Sequence, residues 1–556
     1  MITKKWWQDT VVYQVYPKSF MDSNGDGIGD LKGVIEKLDH IQRLGVNVLW
    51  LCPINCSPMR DNGYDISDYY KVDPMFGTNE DLEELVAEAR KRGIKVLMDL
   101  VVNHVSDRHA WFQEALKNPD SPYRDYFIIK STEDGKEPNN FRSYFGGSVW
   151  ERIGETNSFY FHAFAKEQPD LNWENPKLRQ EIMDMMCFWQ DKGIAGFRID
   201  AIGNIKKSKE ILSVCRMEPD AEDGLHDCAP YLLNQPGIDA FLSNMRDQVF
   251  KKYDSMTVAE VDVPDSDLER YIGENGYFSM VFDFSYADID TKGVTRPCDF
   301  AAWNLADLKH CIFHSQESTQ HIGWAAPYLE NHDQPRSVNK YLPDGEINFY
   351  STTMLGVLYF FLRGTPYIYQ GQEIGMSNFP FTDISQFDDI GAKTKYETAK
   401  KIGDSEEKIM DFLQRRSRDN ARTPMQWEDA PHAGFTEGTP WLAENPNYPV
   451  CNVKAQEQDA RSVLRFYQKM VELRRNPAYK NALVYGSFEG IHTQAVEDFC
   501  YRRRGEDGEV LVMLNYSGEE RPLCLDVSPY EILLNNYETL EGNVLKPYQA
   551  LVLGGK

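Results

Sequence analysis

The sequence predicts an α/β protein, a (β/α)8 TIM barrel with a subdomain inserted after its third strand and an antiparallel β-domain at its C-terminus. Three observations predict it. Short, nearly continuous apolar runs alternate with amphipathic runs, the pattern of parallel strands covered by helices. Eight such apolar runs occur before residue 370, which favours a closed barrel over an open sheet. Beyond about residue 482 the helical pattern gives way to strand-like runs divided by turn residues.

Residues 10–16 alternate β-branched and aromatic side chains and read as the first strand. Leu31, Val34, Ile35, Leu38, Ile41 and Leu44 make one apolar stripe, which predicts a helix over 31–44. A second strand, 46–51, is followed by a helix over 79–92 and a third strand over 95–102, running into Asn103 and His104. The rhythm then breaks. Residues 105–175 are rich in Pro, Asn, Gly, Tyr and Phe and are too long for a loop. The rhythm resumes with a helix over 176–192 and a strand over 195–200, then strands at 257–261, 280–284, 327–329 and 366–369. Residues 372–430 are polar and broken, with Arg415, Arg416, Arg418 and Arg422 clustered. A last helix spans about 459–475. Strand-like runs at 499–501, 510–513 and 550–553 follow, with turn residues at 505–508 and at Ser517-Gly518. The expected units are a barrel of 1–104 and 176–481, a subdomain B of 105–175 and a C-terminal β-sandwich of 482–556.

A chain of 556 residues with a net charge of -26 repels nucleic acid and anionic membranes, so neither is expected as a partner. The start, with Lys4, Lys5, Trp6 and Trp7, has no apolar segment behind it, and no run is long enough to span a bilayer. Ten cysteines are scattered without a framework, and Cys52 and Cys56 have no second pair to complete a zinc site. Reduced thiols in a cytoplasmic protein are expected.

In a barrel of this kind the site lies at the C-terminal ends of the strands. Those ends carry Asp61 and Tyr64, Asp99 and His104, Arg198 and Asp200, Glu260, and His332 and Asp333. Arg198 and Asp200 are two apart, so a strand puts both on one face. Each residue alone has an ordinary structural explanation. Together they are a ring of carboxylates with histidines and an arginine, and like charges so close push pKa values apart, letting one carboxyl stay protonated while another ionises.

Four stretches carry a resemblance: 99–104 (Asp-Leu-Val-Val-Asn-His), 196–200 (Gly-Phe-Arg-Ile-Asp), Glu260, and 330–333 (Glu-Asn-His-Asp). In this order they resemble the four sequence blocks of the α-amylase superfamily, glycoside hydrolase family 13. The stretch 168–172 (Gln-Pro-Asp-Leu-Asn), the opening from Trp6 and the stretch 418–427 look like its oligo-1,6-glucosidase subgroup. The resemblance covers essentially the whole chain.

It implies retaining glycoside hydrolysis by two carboxylates about 5–5.5 Å apart. Asp200 is the implied nucleophile, Glu260 the acid and base, and Asp333 the group that binds sugar hydroxyls and stabilises the distorted sugar. Arg198 is implied to hold Asp200 ionised and oriented, and His104 and His332 to donate to sugar hydroxyls. Asp61 and Arg418 resemble the pair that grips the far end of the terminal glucose, which implies single-glucose release from the non-reducing end. Tyr64 is implied to stack under the ring, Phe145 and Phe164 to line the entrance, and Gln168 to belong to the substrate site. The implied substrate is a small oligosaccharide, handled by a monomer or weak homo-oligomer.

In the loop 22–30, Asp22, Asn24, Asp26, the Ile28 carbonyl and Asp30 have the oxygen-ligand spacing of a calcium loop, with Gly27 at the sharp turn. An EF-hand needs Glu at the twelfth position, where this chain has Gly33. The loop looks more like the single structural calcium loop of the subgroup. The alternative is a solvated acidic turn.

Linkage is less decided. In the subgroup, Val tends to follow the nucleophile in enzymes cutting α-1,6 bonds and Thr in those cutting α-1,4 bonds; here it is Ala201. Ala259 likewise stands where Gly is usual. Gln168 and the 418–427 stretch favour α-1,6 cleavage, with α-1,4 activity alongside. Rival readings are a trehalose-6-phosphate hydrolase, a sucrose isomerase, and a non-catalytic binding or transporter-partner relative. The last would have lost catalytic carboxylates, and Asp200, Glu260 and Asp333 are all present.

Overall fold

Among the described residues, eight apolar segments close into one ring. Seven are strands: β1 (Val12–Val15), β2 (Val48–Leu51), β3 (Lys95–Val101), β4 (Gly196–Asp200), β5 (Met256–Ala259), β6 (Met280–Val281) and β7 (Tyr367–Tyr369). They run parallel in the order β6-β5-β4-β3-β2-β1-β7. The structure, a computed structural model, describes residues 4–491, 493, 495–506 and 508–555. Residues 1–3 of the opening and Asp507 of the expected 505–508 turn lie outside them. Between β6 and β7, the strand expected at 327–329 is instead an irregular stave. It makes a parallel bridge between Val281 and Ala325, and its Ala325 and Pro327 carbonyls accept from Thr365 (3.0 Å) and Tyr367 (2.9 Å). Pro327 has no N–H to give, so this stave closes the barrel without becoming a regular strand.

The helix expected over 31–44 is two, α1 (Leu31–Glu36) and α2 (Leu38–Leu44), divided at Lys37. The Lys37 N–H is shared between the Gly33 and Val34 carbonyls at 3.2 Å each, and its ammonium lies 4.6 Å from the Trp427 ring. Helix starts follow side-chain caps. Thr78 and Asp81 form a reciprocal box on α3 (Asn79–Lys91), and Asn175 caps α4 (Pro176–Asp191), where Pro176 gives up no needed N–H. α5 (Phe349–Phe360) is buried over residues 351–360 and separates the barrel from the C-terminal sheet.

The polar stretch 372–430 holds two helices that its periodicity did not announce, α6 (Ile390–Lys401) and α7 (Glu406–Arg416). They pack through Phe381, Phe387, Ala399, Ile409 and Phe412 and form one wall of the barrel mouth.

The 105–175 segment carries a three-stranded antiparallel sheet of Ile129–Ser131, Ser158–Phe161 and Trp150–Arg152. Its core of Phe141, Val149, Trp150, Phe159 and Phe161 also takes in Ile211, Cys228 and Leu232, from well after β4. His226–Asp227 pairs with Phe141–Arg142, and Arg142 reaches Asp220 (2.9 Å) and Asp223 (2.6 Å).

After α8 (Val463–Arg475), the C-terminal strands β8 (Ser487–Ile491), β9 (Asp498–Gly505), β10 (Gly508–Asn515), β11 (Glu531–Asn535) and β12 (Ala550–Gly555) form one antiparallel sheet, β8-β9-β10-β12-β11. Arg503 donates to the Phe361 carbonyl at 2.7 Å, fastening this sheet to the end of α5. The second leaf of the expected sandwich is small, a ribbon of Arg521–Pro522 and Val544–Leu545. Among the described residues no helix is long and apolar enough to cross a membrane.

Candidate active site

Three neighbouring strands place three acids on one cation. In the sheet register Arg198 lies beside Asp99 of β3 on one side and Val258 of β5 on the other, and Glu260 follows β5 directly. Arg198 is buried. Its Nη1 donates to Asp99 Oδ1 (2.7 Å) and Asp200 Oδ1 (2.8 Å), and its Nη2 lies 2.8 Å from Glu260 Oε1. One guanidinium does not hold three enclosed carboxylates fully ionised. Burial, opposed by Arg198, pushes Asp99 up to about 6 and Asp200 and Glu260 each up to about 7. Both acids of the pair thus sit well above the usual carboxylate range, where one can stay protonated while the other ionises.

Ala201, just past Asp200, sits in the left-handed region at φ 41°, ψ 34°. That conformation aims its N–H at Glu260 Oε2, 3.0 Å away. The pocket floor thus ties the ends of β4 and β5 together.

The far end of the pocket is closed by Arg418. It donates to Asp61 Oδ1 (2.8 Å) and through Nε to Asp389 Oδ1 (2.9 Å), and it lies 3.5 Å from Asp333 Oδ1. Gln168 donates to Asp61 Oδ2 at 3.2 Å from the other side. Arg422 is buried behind, 2.7 Å from Asp333 Oδ1. Burial works to raise the Asp333 pKa, but His332, Arg418 and Arg422 outweigh it and hold Asp333 well below the usual carboxylate range. Burial likewise opposes Asp389, yet Arg418 and Arg422 bring it down to about 2.

Burial also lowers the pKa of His104 and of His332, favouring neutral rings. Asn103 donates to His104 Nδ1 (3.1 Å), so the proton sits on Nε2 and is given to the Tyr64 carbonyl (2.9 Å). Gln14 donates to His332 Nδ1 (2.8 Å), and Nε2 faces Asp333 Oδ2 (3.1 Å) and the Tyr64 hydroxyl. Both rings already have protein partners, so a sugar hydroxyl would have to compete for them. Tyr64 stacks on His332 (5.3 Å, 11°) and donates to Asp99 Oδ2 (3.0 Å).

These groups enclose a cavity of about 380 Å3. Phe145 and Phe164 line it, with Phe145 5.3 Å from the Arg418 guanidinium and Phe164 5.1 Å from the His104 ring. Tyr144, Lys395, Phe412 and Arg416 complete its mouth.

The loop 22–30 stands apart from this cavity. Asn24 N donates to Asp22 Oδ1 (2.9 Å), Asp26 N to Asn24 Oδ1 (3.0 Å) and Ile28 N to Asp26 Oδ1 (2.9 Å). Such a ladder of side-chain turns is the scaffold of an all-oxygen cation loop. Asp30 also caps α1, accepting from Gly33 N at 2.7 Å. Among the described residues no three carboxylate, histidine or cysteine side chains converge as a metal cluster. A cation here would therefore need Asn24 and the Ile28 carbonyl as well as the acids. Hard oxygen donors of this kind fit calcium.

The alpha-amylase catalytic domain family matches residues 14–486. The chain belongs to the α-amylase family. An oligo-1,6-glucosidase of Bacillus cereus is 43% identical over 564 residues, covering 99% of each chain. The trehalose-6-phosphate hydrolase of Bacillus licheniformis, a solved structure, is 40% identical with a TM-score of 0.89 over 99% of this chain and 100% of its own. The isomaltulose synthase of a Klebsiella species is 34% identical with a TM-score of 0.92 over 99% of this chain and 100% of its own.

Within this α-amylase-family site the structure brings every strand-end residue singled out from the sequence into one neighbourhood. It adds Asp389, which sequence reasoning missed although Asp before Ile390-Gly391-Ala392 is a helix-cap signal. It also adds the left-handed turn at Ala201, which no local pattern announces.

Proposed function

We propose that this α-amylase-family protein is a retaining, exo-acting α-glucosidase. It would release glucose from the non-reducing ends of short α-glucosides, favouring α-1,6 links and accepting α-1,4 links. The observation that carries this reading is the closed far end. Arg418, tied to Asp61 and Asp389, stops the pocket just beyond Asp200 and Glu260. A sugar whose anomeric carbon meets Asp200 is then the last unit of its chain. The likeness to oligo-1,6-glucosidases supports the α-1,6 preference.

The chemistry follows from one of these two acids staying protonated while the other ionises. With the proton on Glu260, an Asp200 oxygen attacks the anomeric carbon. The bond to the leaving oxygen breaks as Glu260 protonates it. Water then attacks the glucosyl–Asp200 ester, Glu260 takes its proton, and Asp200 leaves as a carboxylate. Asp333, kept ionised, accepts from sugar hydroxyls and faces the positive charge that builds on the ring.

The loop of Asp22, Asn24, Asp26, Ile28 and Asp30 would hold one structural calcium ion that stabilises the fold. All ten cysteines stand as free thiols, the state of a reducing compartment, and this supports a cytoplasmic location. The grip on substrate is assembled within one chain, which supports a monomer or weak homo-oligomer.

Initial rates of glucose release from isomaltose and from maltose, at equal concentration, test the reading. Faster release from isomaltose is expected. Faster release from maltose would overturn the linkage preference. No release from either, with turnover of trehalose 6-phosphate or isomerisation of sucrose, would overturn the reading itself.

A further inference from the structure

Behind the grip of Asp61, Arg418 and Asp389 lies a buried ammonium that the reaction does not use. Lys18, in the turn after β1, is 8% exposed. Its Nζ donates to Asn62 Oδ1 at 2.8 Å and lies 3.6 Å from the centre of the Trp441 ring. Trp441 is fixed in turn. Its backbone N–H donates to the Gly27 carbonyl (3.1 Å) and its Nε1 to Ser19 Oγ (3.1 Å). Among the described residues no carboxylate lies at ion-pair distance from Lys18. Burying an ammonium in this way is costly. Burial pulls its pKa down to about 8, with Asp388 opposing the fall. A methionine would fill the same space without that cost; what the charge adds is its hold on Asn62.

Asn62 follows Asp61 directly and stands in the left-handed region at φ 48°. Asparagine visits that region when its short side chain is held by hydrogen bonds. Here both ends of the amide are taken. Oδ1 accepts from Lys18, and Nδ2 donates to Asp388 Oδ2 at 3.0 Å. An ammonium on one side and a carboxylate on the other allow one orientation of that amide. Asp388 precedes Asp389, and the N–H groups of both donate to Asp419 Oδ2, at 2.7 and 3.0 Å. On its other side Asp61 is pinned by its own N–H, which donates to Asp65 Oδ1 at 3.1 Å. Asn62 therefore bridges the two short stretches whose acids, Asp61 and Asp389, hold Arg418. Two carboxylates on one guanidinium repel each other, so their spacing has to be set from behind.

We propose that Lys18 is a positioning residue for the terminal-glucose grip. Through Asn62 and Asp388 it sets the spacing of Asp61 and Asp389, and so the place of Arg418. This rests on the α-glucosidase reading given above.

The test is steady-state kinetics on p-nitrophenyl α-glucoside, with glucose as competitive inhibitor. Lys18→Met should raise KM and the inhibition constant of glucose about tenfold, the equivalent of about 1.4 kcal/mol. The turnover number should stay close to the parent's, because the grip is made equally in the ground and transition states. Asn62→Gly keeps the left-handed backbone and removes the amide. It should give the same loss, and it serves if Lys18→Met fails to fold. In the double variant the two losses should not add, since both residues act through one chain of contacts. A folded variant with parental KM and parental glucose inhibition would overturn this inference alone, as would losses that add. A fall in melting temperature and kcat at unchanged KM would make Lys18 a support of the fold only and overturn it as well. No turnover of the nitrophenyl glucoside by the parent chain would overturn the α-glucosidase reading and this inference with it.

Discussion

The Ala201 amide donates to Glu260 Oε2 at 3.0 Å from a backbone held at φ 41°. A residue with a Cβ gives up about 1–2 kcal/mol to stand there. The strain is spent on aiming one N–H at Glu260, the proposed acid and base. Ala201→Gly should therefore melt no lower than the parent, because glycine adopts this conformation without the clash. Ala201→Val should melt lower, because a β-branched residue is a genuine outlier there. Its larger side chain, next to the leaving sugar, should also raise the ratio of isomaltose to maltose turnover. Melting curves and the two rates check this; a valine variant with parental melting temperature would remove the strain argument.

Asp200 burdens the fold in a pH-dependent way. Its ordinary pKa is 3.8, and burial raises it to about 7 in the folded chain. Below about pH 4 the group is protonated folded or unfolded and costs nothing. As pH rises toward 7 the unfolded form ionises first, and above 7 the whole penalty is present. Asp200→Asn should abolish turnover yet melt higher than the parent at pH 8, by about 2 °C or more. The gain should shrink below pH 7 and vanish near pH 4. A variant that melts lower at pH 8 would show that the Arg198 contact outweighs burial.

The same pair sets the activity profile. A pair with one acid protonated and the other ionised gives a bell-shaped kcat/KM against pH, with limbs on either side of about 7. Glu260→Gln should remove the alkaline limb for a substrate whose leaving group needs no proton, such as a glucosyl fluoride. A profile unchanged in that variant would move the acid to another residue.

Arg418→Lys should lower kcat/KM about 100-fold, because an ammonium does not serve Asp61, Asp389 and Asp333 together. The loss should fall mostly on substrates held by the terminal glucose, and glucose itself should inhibit less well. A loss under fivefold would mean that the far end of the pocket is closed by something else.

Chelation should destabilise the chain while leaving its chemistry intact. If the 22–30 loop holds calcium as proposed, removing it is expected to lower the melting temperature by a few degrees without changing kcat at low temperature. Asp22→Ala should make melting insensitive to chelator. Identical melting with and without chelator in the parent chain would leave the loop as a turn held by its own hydrogen bonds.

Much of this was legible in the sequence, for physical reasons. Strands buried on both faces read as apolar runs, so β1 to β5 stood out, and the acids at their ends are local in the chain. The seventh stave reads as a strand from Tyr328 and Leu329, but Pro327 denies it a ladder. α6 escaped because it buries little beyond Ala392 and Ala399, leaving no stripe to see. Asp389 could be found as a helix cap but not as the partner of Arg418, 29 residues away, because only the packing of α6 and α7 on the barrel mouth joins them. The geometry at Ala201 is set by the closing of β4 against β5 and has no sequence signature.

The inserted sheet borrows its last core residues, Ile211, Cys228 and Leu232, from chain that follows β4. During synthesis this sheet emerges first, yet it has no finished interior until residue 232 has left the ribosome. The subdomain's core is therefore completed only after the strand that carries Asp200, the proposed nucleophile, has been made. A protein cut back to its inserted region alone would inherit an open core.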